Sequence, residues 1–386
     1  MSSTELAPPD VLAAPLGGRV DLLIVAGEHS GDENAARMLR GLLAQRPDLR
    51  VCALGGPRLA AAGAQLLRDL TVGSAMGFAV VAKIFHYRKL IADIVDWIGR
   101  HRPRAVCFVD SSGLNLRIAA GLHARGFSAK AGGPTKALYY ISPQLWASRA
   151  GRRFAMARHL DGLAAIFPFE PAVYADTDLP VEFVGHPFLA DDYVPPVAFD
   201  PAGPVLLLPG SRRGVVKRIF PLLLEAYRLA SPGRPAVALY PSDEILGTLR
   251  EASPPSGVEF RRTGEGRGPV RAAAVLTASG TMSMHCALAG IPGALTYRTD
   301  ALTYLLGRLI VKVDFIGIAN LLLKEAMYPE YIQGAATPAA LAAELRACLA
   351  EPARLARTQA QAGRLRALLA RPVRGSAADW LARALA

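Results

Sequence analysis

The chain has 386 residues, 52% of them hydrophobic and 20% charged, which is too long for one ordinary core and too apolar for disorder. Its 44 basic and 32 acidic residues leave a net charge of +12, a balance that favours anionic partners. The sequence has no zinc-finger spacing, RNA-recognition signature or basic-aromatic ladder, so no nucleic-acid partner is expected.

An arginine-rich composition is the plain alternative source of that charge. Cys52, Cys107, Cys286 and Cys348 are scattered without metal-ligand or redox spacing, which suits a reduced, cytoplasmic protein. Residues 1–19 do not read as a signal peptide, because Glu5 and Asp10 stand where a basic region belongs and Pro8, Pro9 and Pro15 break any apolar run. They are expected to be disordered or loosely attached. A membrane span needs roughly 18–20 consecutive apolar residues. Only residues 272–297 are uncharged for that long, and Ser279, Gly280, His285 and Gly290 interrupt them.

Residues 20–26 form the first apolar run, ending at Gly27 and followed by a helical pattern through Ala35, Met38, Leu39, Leu42 and Leu43. Further runs at 51–54, 105–109, 137–141, 163–166 and 181–184 alternate with helical stretches. Continuous apolar strands between helices predict a parallel sheet covered on both faces. Residues 191–203, rich in proline and aspartate, read as a linker. The pattern restarts with strands at 204–208, 236–240, 258–260, 273–278 and 293–297, and turns helical from Pro338. The expected organisation is therefore α/β. One doubly wound domain covers 20–190 and a second 204–345, with a cleft between them, and residues 346–386 form helices packing back across the domains.

Ligands of such sheets sit outside the carboxyl ends of the strands, so chemistry is sought in the loops there. The first loop is Gly27-Glu28-His29-Ser30-Gly31-Asp32; its alternative role is a helix cap, and it lacks a dinucleotide fingerprint. The second is Asp110-Ser111-Ser112-Gly113-Leu114-Asn115, where a carboxylate at a strand end can deprotonate a hydroxyl or simply cap a helix. The third, Gly210-Ser211-Arg212, offers a guanidinium to a diphosphate. The fourth, Ser279-Gly280-Thr281, opens a helix whose free N–H groups suit an anion. Asn320 and Gln333 bracket an apolar helix and read equally as caps. Residues 76–99 combine an apolar stretch with Lys83, His86, Arg88 and Lys89, and fit either a membrane interface or an ordinary packed helix. No Asp-x-Asp pair ends a strand in the second half, so no metal or cofactor is expected.

Taken in order, AGEHSGD at 26–32, GGPR at 55–58, MGF at 76–78, YYISPQLWASR at 139–149, FPFE at 167–170, VEFVGHP at 181–187, LLPGSR at 207–212, ASGT at 278–281, TYLLGRLIVKVDFIGIANLL at 303–322 and PEYIQ at 329–333 resemble the lipid-A-disaccharide synthase family. That resemblance implies the GT-B glycosyltransferase fold, with the acceptor in the first domain and the donor in the second. The implied reaction joins UDP-2,3-diacylglucosamine to 2,3-diacylglucosamine 1-phosphate, inverting the anomeric centre and releasing UDP. The implied catalytic residues are Asp110 and Glu28. Gly27, Ser30 and Asn115 are implied at the acceptor, and Arg212, Ser211, Ser279, Gly280, Thr281, His285 and Asn320 at the donor. The implied place is the cytoplasmic side of the inner membrane, as a peripheral protein, with homodimerisation open.

The chain also departs from the family pattern. His285 stands where a ribose-binding glutamate is usual, and Val215 replaces a glutamate three residues past Arg212. Val80 replaces an acid after MGF, Ser112-Gly113 a proline-aspartate, and Ser148 a tryptophan. These changes keep two alternatives in view: a glycosyltransferase with another nucleotide sugar or acceptor, and a non-catalytic membrane-associated relative. A UDP-sugar epimerase shares the two-domain design without the ordered motifs.

Overall fold

The computed structural model describes residues 12–71, 80–190, 192–231, 233–264, 268–300, 314–370 and 373–386, with backbone alone for 80–86. The chain divides into two compact units, residues 1–187 with 372–386 and residues 188–371.

In unit one, seven parallel strands carry the sheet: β1 (Leu22–Ala26), β2 (Val51–Gly55), β3 (Gln65–Asp69), β4 (Ala105–Val109), β5 (Lys136–Tyr140), β6 (Gly162–Ala165) and β7 (Val181–Phe183). Their order is β3-β2-β1-β4-β5-β6-β7. Every residue of β1, β2, β4 and β6 is buried, because helices cover both faces and leave no side for polar residues. The edge strand β3 is half-buried throughout, and its Gln-Leu-Leu-Arg-Asp sequence gives no continuous apolar run.

The helices are α1 (His29–Gln45), α2 (Pro57–Ala61), α3 (Val80–His101), α4 (Ser112–Ala124), α5 (Arg152–His159) and α6 (Glu170–Val173). Helix α1 buries Ala35, Met38, Leu39 and Leu42, one stripe at 3.6-residue spacing. It stops where the Arg46 N–H donates to Leu42 O at 2.8 Å and Pro47 follows, a residue with no N–H to continue the ladder. Truncating a buried leucine such as Leu39 to alanine costs roughly 2–5 kcal/mol.

Residues 12–19 lie against this unit: Leu12 is buried, and the Trp97 indole donates to Ala13 O at 2.8 Å. Residues 76–79 and the side chains of Lys83 and His86 lie outside the description, so the interfacial reading of 76–99 is untouched there. From Leu90 on, α3 is a packed helix whose Ile94, Trp97 and Ile98 enter the core.

Unit two opens with β8 (Val197–Phe199), inside the stretch read as a linker, which pairs with β12 (Val270–Ala272) in a separate two-stranded sheet. Its main sheet holds β9 (Val205–Leu208), β10 (Ala236–Tyr240), β11 (Val258–Arg262), β13 (Ala274–Ala278), β14 (Gly293–Tyr297) and β15 (Glu330–Ile332), all parallel, in the order β11-β10-β9-β13-β14-β15. Helices α7 (Arg213–Ala230), α8 (Asp243–Glu251), α9 (Thr281–Leu288), α10 (Ile318–Leu323), α11 (Pro338–Ala350) and α12 (Pro352–Leu369) belong to this unit.

The last helix, α13 (Ala377–Ala384), packs on α1 of unit one, where Gln45 Nε2 donates to Asp379 Oδ1 at 2.7 Å. Ser376 and Asp379 close a reciprocal cap at its start. Among the described residues no helix is long and apolar enough to cross a membrane.

Candidate functional site

Each main sheet reverses its winding once, between β1 and β4 in unit one and between β9 and β13 in unit two. A crevice opens at such a point because the two flanking loops leave in opposite directions. The predicted site residues cluster at these two places.

In unit one, Ala26 pairs with Val109, so the loop after β1 and the loop after β4 start side by side. Asp110 and Ser111 both take left-handed backbone, at φ 51° and 40°. Such conformations are uncommon away from glycine and persist where surrounding bonds enforce them. Here the Asp110 N–H donates to Tyr140 O at 3.0 Å. Its carbonyl accepts from the Tyr139 hydroxyl and from Asn115 Nδ2, the latter at 2.9 Å.

Burial and the Asp110 charge push the Tyr139 hydroxyl well above its usual range, so it stays a neutral donor. Gly27 packs closely opposite this turn, where a Cβ would sit 3.0 Å from Ser111 Oγ. The Asp110 carboxyl is raised above the usual carboxylate range, first by burial and then by the charge of Glu28, against a lowering bond from the Ser111 N–H. A carboxylate of raised basicity at a strand end is suited to accept a proton. Glu28 is exposed and stands in extended backbone just before α1, and Ser30 is exposed in its first turn.

Two residues of these loops are buried in internal bonds. Asn115 was expected at the acceptor. Instead it is fully buried, and its Nδ2 also donates to Val109 O at 3.1 Å and reaches Val25 O at 3.4 Å, tying β1 to β4 beneath the Asp110 turn. Through these bonds it supports the Asp110 turn. Asp32, the last residue of the first loop, is likewise buried and receives the N–H groups of Gly56, Arg58 and Leu59 at 2.8–3.2 Å, capping α2. The AGEHSGD and GGPR motifs thus meet in one structural device.

In unit two, Leu208 pairs with Thr277, and the loops after β9 and β13 share a cavity of about 190 Å³. Ser211, Ser279, Gly280 and Thr281 line it together with Gly210 and Leu239. Gly210 needs its freedom, at φ 105°. Arg212 immediately precedes α7, exposed. Gly280 immediately precedes α9, whose first N–H groups face outward with the positive end of the helix dipole.

His285, one turn into α9, stacks on Phe188 at 3.9 Å between ring centroids, and its Nδ1 meets the Tyr193 hydroxyl. Burial pushes the imidazole down to about 4, so it is neutral near pH 7. With Nδ1 engaged by the Tyr193 hydroxyl, Nε2 is the ring nitrogen left for a ligand.

Asn320 was expected at the donor, but it is 1% exposed. Its Nδ2 donates to Tyr328 O at 2.7 Å and Glu330 Oε1 at 2.8 Å, while Oδ1 accepts from the N–H groups of Met327 and Tyr328 at 2.9 and 3.0 Å. With all four valences used internally, it braces the 327–330 loop. Gln333 similarly braces Thr299, at 2.9 and 3.1 Å. Glu330 receives Gly317 N at 2.9 Å, and Ser279 Oγ donates to the neighbouring Ile316 O at 3.2 Å, which holds the Ser279 loop. Residues 303–313 of the long matching segment lie outside the description. Among the described residues no group of three or more His, Cys, Asp or Glu could hold a metal.

Residues 22–385 match the family model of lipid-A-disaccharide synthetase. The chain is 34% identical to the lipid-A-disaccharide synthase of Geobacter metallireducens over 89% of its length and 92% of that protein. It is 35% identical to that of Myxococcus xanthus, over 84% and 87%. Solved structures share the architecture at lower identity. They include the calicheamicin glycosyltransferase CalG4 (TM-score 0.55, 15% identity, 95% of this chain and 98% of that one). A putative UDP-N-acetylglucosamine 2-epimerase from Listeria monocytogenes also matches (TM-score 0.59, 12% identity, 94% of each). Two doubly wound parallel sheets and these neighbours make the fold GT-B.

Proposed function

The chain belongs to the lipid-A-disaccharide synthase family, and from that premise we propose that it condenses UDP-2,3-diacylglucosamine with 2,3-diacylglucosamine 1-phosphate, inverting the anomeric carbon and releasing UDP. It is a glycosyltransferase of lipid A biosynthesis, a hexosyltransferase enzyme.

In the proposed step, the Asp110 carboxylate takes the proton of an acceptor hydroxyl as the oxygen attacks the anomeric carbon. The bond from that carbon to the diphosphate oxygen breaks, and its electron pair leaves with UDP. Arg212 and the N-terminus of α9 receive that developing charge, and preorganised donors lower the barrier because they need not reorient. Glu28 keeps the Asp110 carboxyl basic through its own charge.

The observation that carries the reading is the Asp110–Ser111 turn. Two consecutive left-handed residues, clamped by Tyr139, Tyr140 and Asn115, hold one carboxylate of raised basicity at a sheet switch point. A helix cap needs no such clamp. Purified protein given both lipid substrates should release UDP, and Asp110→Asn should nearly stop release; unchanged release in that variant removes Asp110 from the chemistry.

His285 favours a second reading, in which the nucleotide sugar differs. A carboxylate at that position can accept from two ribose hydroxyls, whereas a neutral imidazole with Nδ1 occupied offers a single ring nitrogen. A thermal-shift panel of nucleotides separates the two: selective stabilisation by UDP supports uridine, and indifference to UDP rejects it. Because both proposed substrates are acylated, the enzyme is proposed to work at the inner-membrane surface, where its net charge of +12 suits anionic headgroups. Flotation with anionic but not neutral vesicles is the expected result.

A further inference from the structure

Adjacent parallel strands deliver three loops to one edge of unit one: those after β1, β4 and β5. The first two carry Glu28 and Asp110. The third runs from Ile141 to the start of α5 and holds Arg149, in left-handed backbone at φ 58°. The Arg152 N–H donates to Arg149 O at 2.9 Å, so the two arginines share one tight turn. Arg117 approaches the same edge from α4, its guanidinium 5.4 Å from the centre of the Tyr87 ring. The Tyr87 hydroxyl lies 3.7 Å from where a Gly113 Cβ would stand and within reach of the Glu28 charge, which places it beside the Asp110 loop.

No described carboxylate pairs with Arg117, Arg149 or Arg152, although arginines nearby do have acidic partners. Arg153 grips Asp176 at 2.7 and 2.5 Å, and Arg125 is bonded to Asp96. Position 113, one turn before Arg117 on the same helix face, is a glycine where a carboxylate would serve as its partner. The three charges also feel one another: Arg152 is held below the usual arginine range, first by burial and then by Arg149 and Arg117. Like charges gathered without counter-ions are costly unless a ligand supplies the opposite charge. Planar guanidiniums match a phosphate best.

We propose that Arg117, Arg149 and Arg152 form an anion site that binds the phosphomonoester of the acceptor sugar and so orients its hydroxyl toward Asp110. This rests on the reading above that unit one takes a phosphorylated sugar acceptor.

The probe is glucosamine 1-phosphate, soluble and free of acyl chains, measured by calorimetry against the full-length protein. Glucosamine itself should bind at least tenfold more weakly, and inorganic phosphate should compete. Arg117→Gln, Arg149→Gln and Arg152→Gln should each weaken the sugar phosphate about fivefold or more while leaving UDP affinity unchanged, which also reports that the fold is intact. In turnover, the same changes should raise the acceptor KM more than they lower kcat. Equal binding of glucosamine and its 1-phosphate by the wild-type protein overturns the site without recourse to any variant. So does a triple variant that keeps full affinity, or variants that lose only their attachment to anionic vesicles, which would assign the cluster to lipid headgroups. Binding of the sugar phosphate without any transfer sinks the glycosyl-transfer reading and leaves the site standing. Transfer to a phosphate-free acceptor at an unchanged KM does the reverse.

Discussion

The two switch points share one topology and hold opposite chemistry. Between β1 and β4 the loops bring carboxylates, Glu28 and Asp110, onto a turn of left-handed residues clamped by buried donors. Between β9 and β13 they bring glycines, serines and the N-terminus of α9 around a small cavity, with Arg212 exposed at the start of α7 beside Ser211. A winding reversal therefore makes a place, and the side chains at the strand ends decide what charge that place accepts. The switch point of unit one is equipped to take up a proton, that of unit two to hold negative charge.

Variants at the two places should separate these roles. The largest effect is expected from Asp110→Asn, which keeps shape and removes the base: kcat should fall about 10²–10⁴-fold, the range of general-base catalysis. UDP affinity, a property of unit two, should not move. A matching fall in UDP affinity would break the division of labour. Next comes Arg212→Ala, expected to lower kcat roughly 10²–10³-fold as a lost donor to the leaving group. It should also weaken UDP, and Arg212→Lys should recover only part of each, since an ammonium cannot make the bidentate contact. Full recovery with lysine would make Arg212 a point charge only.

A smaller change is expected at His285. The imidazole is fixed against Phe188 and Tyr193 and is neutral. Restoring an acceptor with His285→Glu should tighten UDP by about 1–3 kcal/mol if the ribose hydroxyls reach it, the value of a hydrogen bond to a charged group. Weaker UDP binding in this variant, with another nucleotide preferred, would support the reading in which the donor differs.

Much of this arrangement was legible in the residues, and the exceptions have physical causes. Strands buried on both faces announce themselves as apolar runs, so β1, β4, β6 and β13 stand out. The strands β3 and β15 are half-buried edges, and β8 and β12 are three-residue strands of a small separate sheet, so none carries such a run. Asp110 is visible as a carboxylate ending an apolar run. Asn115 and Asn320 look the same in the sequence, yet both bond to backbone groups brought in from other segments, and no spacing rule shows where those groups point. Arg117, Arg149 and Arg152 escaped notice because β4 and β5 bring them together from separate helices and loops. The missing carboxylate at Gly113 was the one available sign.

The finest test of the comparison uses pH, because a buried group in each unit, Glu170 in one and His285 in the other, titrates in the opposite sense. In unit one Glu170 is 1% exposed, and Oε2 accepts from the N–H groups of Ile166 and Phe167 at 3.2 and 3.0 Å. Burial nevertheless outweighs these bonds and raises its carboxyl to about 7. For an acid raised in the folded state, the stabilising contribution is complete below the unfolded value near 4.5. It is lost as pH rises toward 7, because the unfolded chain releases the proton first. In unit two His285 is depressed from 6.5 to about 4, so its contribution is complete above 6.5 and is lost as pH falls toward 4. Each swing is on the order of 3 kcal/mol. Hydrogen exchange followed by peptide, unit by unit, should therefore show opposite contributions across pH 4.5–7. Glu170→Gln should reduce the fall in unit one, to which the raised Asp110 carboxyl also contributes, and leave unit two unchanged, and His285→Phe should do the converse. A Glu170→Gln protein whose unit one keeps the wild-type slope would mean that the carboxyl is already ionised in the folded state, with its two backbone donors outweighing burial.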